Sequence, residues 1–317
     1  MIRWGILSTA RIADRIVDGA RGTTKAQVTA VGSRDLARAR AWADEREIAH
    51  AYGTYEELLA SDEVDAIYIG LPNSMHVEWS IKALEAGKHV LCEKPLSRHP
   101  AEVQRAFDAA DRAGRTLMEA FMWRFHPQTE EVVRLVREGA IGELRVIRAA
   151  FGFNLPWLEN VRWNSALEGG ALMDVGCYCV SAARLIAGTE PLRVSGEQVI
   201  GGDGVDARFA GLLRFPDVLA TIDCGMDVHR RNQLEVVGDE GTILVPSPWQ
   251  TPLGAKIILA REETEELTPE SVDPYTRELE AFAGEAPPRL GREDALGQAR
   301  TIEALYRAAE SGAAVTL

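Results

Sequence analysis

The chain opens Met1-Ile2-Arg3-Trp4-Gly5-Ile6-Leu7-Ser8-Thr9-Ala10-Arg11-Ile12-Ala13, and the reading of this stretch decides the fold. Ile2 to Leu7 is a short apolar run of the kind that forms a fully buried strand. Ala10 to Ala20 follows as a helix, with Ile12, Ile16 and Val17 on one face. The residues between are small: Ser8, Ala10 and Ala13 fall where dinucleotide-binding turns carry glycine. Small residues let backbone N–H groups and a helix N-terminus approach a pyrophosphate. A tight strand-to-helix turn with no ligand would use the same residues, so the rest of the chain must decide.

Downstream, strands and helices alternate. Gln27 to Val31 reads as a strand, Leu36 to Arg46 as a helix, and Tyr55 to Ala60 as a shorter helix capped by Thr54. Asp65 to Leu71 is a third apolar run, ended by Pro72, and Ser74 to Ala86 is a helix stopped by Gly87. His89 to Cys92 is a strand closed by Pro95, Pro100 to Ala113 a helix stopped by Gly114, and Leu117 to Ala120 another strand. Repeated strand–helix–strand units build a parallel sheet with helices on both faces, and ligands bind beyond the strand C-termini. The sequence therefore predicts an α/β protein whose residues 1–121 form a Rossmann domain with a parallel sheet.

After Phe121 the pattern changes. Gln128 to Glu138 reads as a helix, Gly142 to Phe153 as a strand, and Gly170 to Ile186 as mostly helical. Leu192 to Val245 is strand after strand, with turns at Gly201-Gly202, Pro216-Asp217 and Gly238-Asp239-Glu240-Gly241. Two helices close the chain, near Tyr275 to Ala283 and Glu293 to Ser311. Residues 122–317 are thus expected to form an α+β domain with a large open, mainly antiparallel sheet, serving substrate binding and oligomerisation.

Composition bounds the function. The 317 residues are 46% hydrophobic and 26% charged, with a formal net charge of -13, as for a globular chain with a sizeable core. Like-sign repulsion disfavours nucleic acid and anionic membranes, and neither is expected as a partner. An anionic cofactor needs only a local positive patch. The first strand follows the N-terminus directly, without the apolar core and cleavage site of a signal peptide, and no apolar run is expected to reach span length. Cys92, Cys177, Cys179 and Cys224 lack zinc spacing, so reduced thiols in a cytoplasmic protein and no metal site are expected.

Several motifs carry chemistry. The second strand ends at Val31-Gly32-Ser33-Arg34, where NAD enzymes place a carboxylate for the ribose hydroxyls. Ser33 with Arg34 would instead accept a 2′-phosphate, which favours NADP, while Asp35 keeps NAD possible. Leu71-Pro72-Asn73-Ser74-Met75-His76 leaves the third apolar strand at the ligand edge. There Pro72 could lie against a nicotinamide, Asn73 could equally cap the next helix, and His76 could equally be a helix-surface residue. Cys92-Glu93-Lys94-Pro95 ends a strand at the same edge. A lysine ammonium there can polarise a hydroxyl or carbonyl oxygen, and Glu93 could hold it in place. Asp174 and Tyr178, at i and i+4 of the helix led by Gly169-Gly170, share a face as an orienter and proton donor, or are a helix-start acid and a core tyrosine.

The order and spacing of these motifs, Gly5 to Ala13, Pro72-Asn73, Glu93-Lys94-Pro95 and Asp174/Tyr178, resemble the glucose–fructose oxidoreductase and inositol dehydrogenase superfamily (Gfo/Idh/MocA) along nearly the whole chain. Tyr178, where many inositol dehydrogenase-like members have His, is similar to the branch that contains dimeric dihydrodiol dehydrogenases and NADP-dependent D-xylose dehydrogenases. The resemblance implies Lys94, Asp174 and Tyr178 as catalytic residues, in a cleft between domains. It implies Ser8, Thr9, Ala10, Arg11, Ile12, Ser33, Arg34, Leu71, Pro72, Asn73, His76, Glu93, Lys94 and Arg124 along the cofactor. Trp123, Phe153, Asn154 and Arg162 join the catalytic three around the substrate. The implied reaction is hydride transfer between a nicotinamide and a hydroxyl carbon of a sugar, polyol or vicinal diol. Two alternatives are a reductase of an anhydro sugar or other carbonyl, and an NADP-binding regulator without turnover. By the same analogy, the outer face of the second sheet would pair subunits in a homodimer or larger homo-oligomer.

Overall fold

Six short strands, the central ones largely apolar, build the first sheet: β1 (Ile2–Leu7), β2 (Ala26–Gly32), β3 (His50–Tyr52), β4 (Ala66–Ile69), β5 (His89–Glu93) and β6 (Leu117–Ala120). The computed structural model describes residues 1–156, 160–249, 254–284 and 290–317. The strands pair in parallel in the order β3-β2-β1-β4-β5-β6. Trp4, Ile6, Leu7, Ile67, Tyr68, Val90 and Leu91 are wholly buried. A parallel sheet sheathed by helices excludes water from both faces, hence continuous apolar runs in place of alternation. The helices are α1 (Ala13–Arg21), α2 (Leu36–Asp44), α3 (Tyr55–Leu59), α4 (His76–Glu85) and α5 (Pro100–Ala113). Thr54 and Glu57 close a capping box on α3, and Gly114, at φ 61°, ends α5. β1 has β2 on one side and β4 on the other, so strand order reverses there, and the ends of β1 and β4 mark the ligand edge.

The second sheet follows α6 (Pro127–Arg137). It contains β7 (Leu144–Asn154), β8 (Arg193–Ile200), β9 (Asp206–Arg214), β10 (Leu219–Gly225), β11 (Asp227–Gly238), β12 (Thr242–Val245), β13 (Ile257–Ala260) and β14 (Thr264–Leu267), with β15 (Val315–Thr316) from the chain end. Their order is β14-β13-β12-β11-β7-β10-β9-β8-β15, antiparallel throughout except where β7 meets β10. Along β10, Ala220, Ile222 and Cys224 are buried while Leu219 and Thr221 are exposed, the period of a sheet with one covered face. α7 (Cys177–Ala187) packs against β7 and β10. The expectation that no apolar run reaches span length is corrected. Ser165–Ala187 qualifies by length and composition, with 83% of its most apolar window buried inside the structure. All four cysteines are buried and free.

The chain does not divide as 1–121 and 122–317. One compact unit is Met1–Met122 with Asp273–Leu296, and the other is Trp123–Val272 with Gly297–Leu317. The returning segment holds α8 (Pro274–Phe282) and the start of α9 (Arg292–Ser311). α8 packs on α1, whose Gly19 leaves no room for a side chain: a Cβ there would stand 2.9 Å from that of Tyr275. Thr276 Oγ1 donates to the Gly19 carbonyl at 2.9 Å, Phe282 meets Trp4 with ring centroids 4.9 Å apart, and Arg292 pairs with Asp108 and Asp111 of α5. Partners more than 180 residues apart leave no local sequence signal.

α8 also carries Glu278, which is 0% exposed with neither carboxyl oxygen hydrogen-bonded. Burial first, then Glu93 and Asp273, push its pKa well above the usual carboxylate range. An unfolded glutamate titrates at about 4.3. Between that value and the raised folded one, the folded state binds more protons than the unfolded, so this group's contribution falls as pH rises. Glu278→Gln abolishes that fall. The variant's Tm relative to wild type is expected to be higher at pH 8 than at pH 5; a difference independent of pH would show that Glu278 is not held protonated.

Candidate active site

In the first unit, the candidate residues gather where strands end. Ser8 follows β1 with φ 88°, a region that glycine favours. Its hydroxyl donates to the Gly70 carbonyl at 3.2 Å and accepts from the Ala10 N–H at 3.3 Å, fastening the turn to the end of β4. Gly70 permits the approach, since a Cβ there would meet Ile12 at 3.2 Å. Thr9 to Ile12 lead into α1 with no side chain fully buried. Such a turn, opening a helix at the reversal of strand order, fits a dinucleotide pyrophosphate.

Beyond β2, Ser33 is buried and Arg34 exposed. Asp35 is withdrawn from the site: its carboxylate accepts the N–H groups of Ala37 and Arg38 as the cap of α2. Burial raises the pKa of the Tyr55 phenol, with the nearby charges of Arg34 and Arg38 pulling it down. Two guanidinium groups therefore stand near one ring. The sequence reading missed Arg38, although its i+4 spacing from Arg34 was a usable signal. The pair suits a phosphate better than ribose hydroxyls alone.

Leu71, Pro72 and Asn73 follow β4, and Glu93, Lys94 and a cis Pro95 follow β5. Lys94 is half-buried. Glu93 accepts from the Tyr68 hydroxyl at 2.7 Å and from the Lys94 N–H at 3.3 Å. Burial and Glu93 raise the pKa of that Tyr68 phenol, so it remains a donor. Buried Glu119 accepts the Leu96 N–H at 2.7 Å. His76 is not a helix-surface residue. It is 1% exposed, and its two ring nitrogens face the carbonyls of Pro95 and Leu71. Burial lowers its pKa, the two carbonyls raise it, and Lys94 lowers it further.

In the second unit, Asp174 lies in a π-helical turn, Leu172–Gly176, that precedes α7. The widened turn replaces the regular helix face expected for Asp174 and Tyr178, and such turns recur at functional sites. Asp206, 2% exposed, holds its start by accepting the Leu172 N–H at 2.7 Å and the Tyr306 hydroxyl at 2.8 Å. A side chain at Gly170 would strike the same carboxylate. Asp174 accepts from Arg162 Nε at 2.7 Å. Tyr178 packs edge-on to Phe151 with centroids 5.3 Å apart and lies 6.0 Å from Trp249, whose Nε1 donates to the Ala150 carbonyl at 3.0 Å. Trp123 is 1% exposed against Trp249, a core position rather than a lining one. Arg124 donates to Ser181 Oγ at 2.9 Å, and Phe153 and exposed Asn154 end β7. Of the loop 153–163, residues 157–159 lie outside the described residues. Among the described residues, no group of three His, Cys, Asp or Glu could hold a metal ion.

A parallel sheet with a phosphate-ready turn, a lysine at a strand end, and a helix packed on a second sheet that carries an acid and a tyrosine define the class as a nicotinamide-nucleotide oxidoreductase. Comparison with known proteins agrees. Residues 2–121 match the family model described as an oxidoreductase family with an NAD-binding Rossmann fold, and residues 129–244 match the GFO/IDH/MocA C-terminal domain. The chain belongs to the Gfo/Idh/MocA family. It is 42% identical to D-xylose 1-dehydrogenase (NADP(+)) 2 of Haloferax volcanii, over 99% of each chain. It is 36% identical to trans-1,2-dihydrobenzene-1,2-diol dehydrogenase of Danio rerio, over 79% of this chain and 76% of that one. Among solved structures, aldose-aldose oxidoreductase from Caulobacter crescentus, complexed with glycerol, superposes with a TM-score of 0.93 at 27% identity, covering 100% of this chain and 99% of that one. KijD10, a 3-ketoreductase from Actinomadura kijaniata with NADP and TDP-benzene, gives 0.91 at 32% identity over 97% of each.

The Asp206 contacts yield a direct test. Asp206→Ala strips a charged acceptor from two buried donors, each such bond contributing about 1.5–3 kcal/mol. Urea denaturation is expected to show a loss of about 3 kcal/mol; a loss below about 1 kcal/mol would mean that the π-helical turn is held by other contacts.

Proposed function

We propose that this protein is an NADP-dependent dehydrogenase that oxidises a hydroxyl carbon of a sugar, polyol or vicinal diol, with aldoses the first substrates to test. The observation that carries the reading is the Glu93–Lys94–Pro95 turn, held by hydrogen bonds at the end of β5 in a chain so similar to an NADP-dependent aldose dehydrogenase. When bound, the nicotinamide takes or gives the hydride. Lys94 stabilises the developing alkoxide, Tyr178 exchanges the hydroxyl proton, and Asp174, anchored by Arg162, orients the substrate. Phe153 and Asn154 contribute to substrate contact, and Trp123 supports it from the core. Ser8 to Ile12 receive the pyrophosphate, Ser33, Arg34 and Arg38 the 2′-phosphate, and Leu71 to Asn73, Glu93 and Arg124 complete the cofactor's surroundings. The similarity to a 3-ketoreductase favours carbonyl reduction as the second reading.

Four free buried thiols support a reducing compartment, the cytoplasm. Exposed Val199, Leu212 and Leu219 on the second sheet support pairing of two copies through that face.

Two measurements test the reading. Absorbance at 340 nm is followed with NADP+ and D-xylose, D-glucose, myo-inositol or a trans-dihydrodiol, and in reverse with NADPH and carbonyl substrates. Lys94→Ala is expected to lower turnover by roughly 100-fold or more; near-normal turnover would remove Lys94 from the chemistry. For the combined Arg34→Ala and Arg38→Ala variant, KM for NADP+ is expected to rise by about 10-fold or more, with KM for NAD+ within about threefold. An equal rise for both cofactors would mean that these arginines do not read the 2′-phosphate.

A further inference from the structure

β4 and β5 are neighbours in the parallel sheet, and their pairing runs from Ala66 opposite His89 to Ile69 opposite Cys92. Beyond that pair the ladder stops. One chain goes on through Gly70 and Leu71 into the Pro72–Asn73 turn, and the other through Glu93 and Lys94 into Pro95. At this point the first residue of α4 bridges the two. His76 Nδ1 stands 2.9 Å from the Pro95 carbonyl oxygen, and Nε2 stands 2.8 Å from that of Leu71. The ring is 1% exposed, so water does not compete for either contact.

We propose that His76 is a positioning residue, which clasps the two strand-end segments where sheet pairing ends and so sets where the Lys94 ammonium stands beside the Pro72–Asn73 turn. The inference rests on Lys94 being the reactive cation, as proposed above. Carbonyl oxygens only accept, so the neutral ring that burial favours donates to one of them at a time, and only a ring with hydrogen on both nitrogens would hold both. With both nitrogens facing backbone carbonyls, the ring turns no polar atom to cofactor or substrate, and it acts through backbone. The Pro95 carbonyl belongs to the residue next to Lys94, so releasing it frees the turn on the Lys94 side. Glu119 still holds Leu96 and Tyr68 still holds Glu93 in that event. Loss of the clasp therefore shifts Lys94 without dismantling the turn. Leucine fills the imidazole's space and makes neither bond; glutamine donates from a single nitrogen and restores at most part of the clasp.

The test compares wild type, His76→Leu and His76→Gln. Competitive acetylation with acetic anhydride across alkaline pH, read on the Lys94 peptide by mass spectrometry, reports the reactivity and apparent pKa of Lys94 without cofactor or turnover. Thermal denaturation reports folding, and steady-state kinetics with NADP+ and an aldose report kcat and KM separately. In folded His76→Leu, Lys94 acetylation is expected to change by about threefold or more, and kcat to fall about 10- to 100-fold with the sugar KM within about threefold, as for a displacement of about 1 Å. His76→Gln is expected to lie between. Wild-type Lys94 reactivity in a folded His76→Leu overturns the proposal, as does a Tm loss with kcat and Lys94 reactivity unmoved. If His76→Leu does not fold, His76→Gln decides by the same acetylation comparison. Absence of turnover in wild type with every substrate tried would overturn the catalytic reading alone, since acetylation still shows whether His76 sets Lys94.

Discussion

A parallel sheet stops supplying hydrogen bonds along the edge where its strands end, and the chain leaving that edge must be held by side chains. The first unit meets this demand at each of three strand ends. Ser8 ties the exit of β1 to Gly70 at the exit of β4. Asp35 caps α2 after β2. Glu119, Tyr68 and His76 together hold the exit of β5. Each fastening is polar and short-range, so the backbone is fixed before any ligand arrives. That is the preorganisation which dinucleotide binding and charge stabilisation both require. Lys94 is useful because of this: an ammonium on a four-carbon stem is aimed only as well as the backbone that carries it.

The second unit solves the same problem at a helix start. Four N–H groups open any helix without internal partners, and here the opening is a π-helical turn. Asp206 meets the Leu172 N–H from a neighbouring strand while Tyr306 donates to its other oxygen. Gly170, at φ 119°, is the residue that admits the carboxylate. The π-helical turn that carries Asp174 and leads to Tyr178 is thus held at its start by a buried acid. On the far side of Tyr178, Phe151 and Trp249 confine the ring, and the indole N–H of Trp249 is spent on a backbone carbonyl.

What was legible in the sequence was periodic or punctuated. The apolar runs, the glycine stops at Gly87 and Gly114, the Thr54 cap and the change of pattern after Phe121 predict the strand order class and the two kinds of sheet. The strand ends also put Ser8, Pro72 and Lys94 on one edge, because topology alone determines that. The illegible parts are contacts between residues distant in the chain. Nothing near Pro274 announces that α8 returns to pack on Gly19, and nothing near Asp206 announces Leu172. The burial of His76, which the sequence left open, is illegible for a related reason: it depends on the carbonyls that two strand-end segments bring to it. Arg38 was legible by its i+4 spacing from Arg34, one helical turn beyond the strand tip.

A net charge of -13 opposes an anionic cofactor only at long range. Exposed charges beyond about 8 Å are largely screened at physiological ionic strength. The field at a phosphate is then set mainly by its immediate neighbours. Asp35 has its negative charge against the N-terminus of α2, where two N–H groups and the helix dipole neutralise much of it. Burial, with Glu93 and Asp273, pushes the pKa of Glu278 in the same unit well above the usual carboxylate range, which favours its neutral form. Glu93 remains, facing a tyrosine hydroxyl and the N–H of Lys94. Two guanidinium groups at the end of β2, with the Asp35 carboxylate turned to its helix cap, make a local positive patch compatible with an acidic chain.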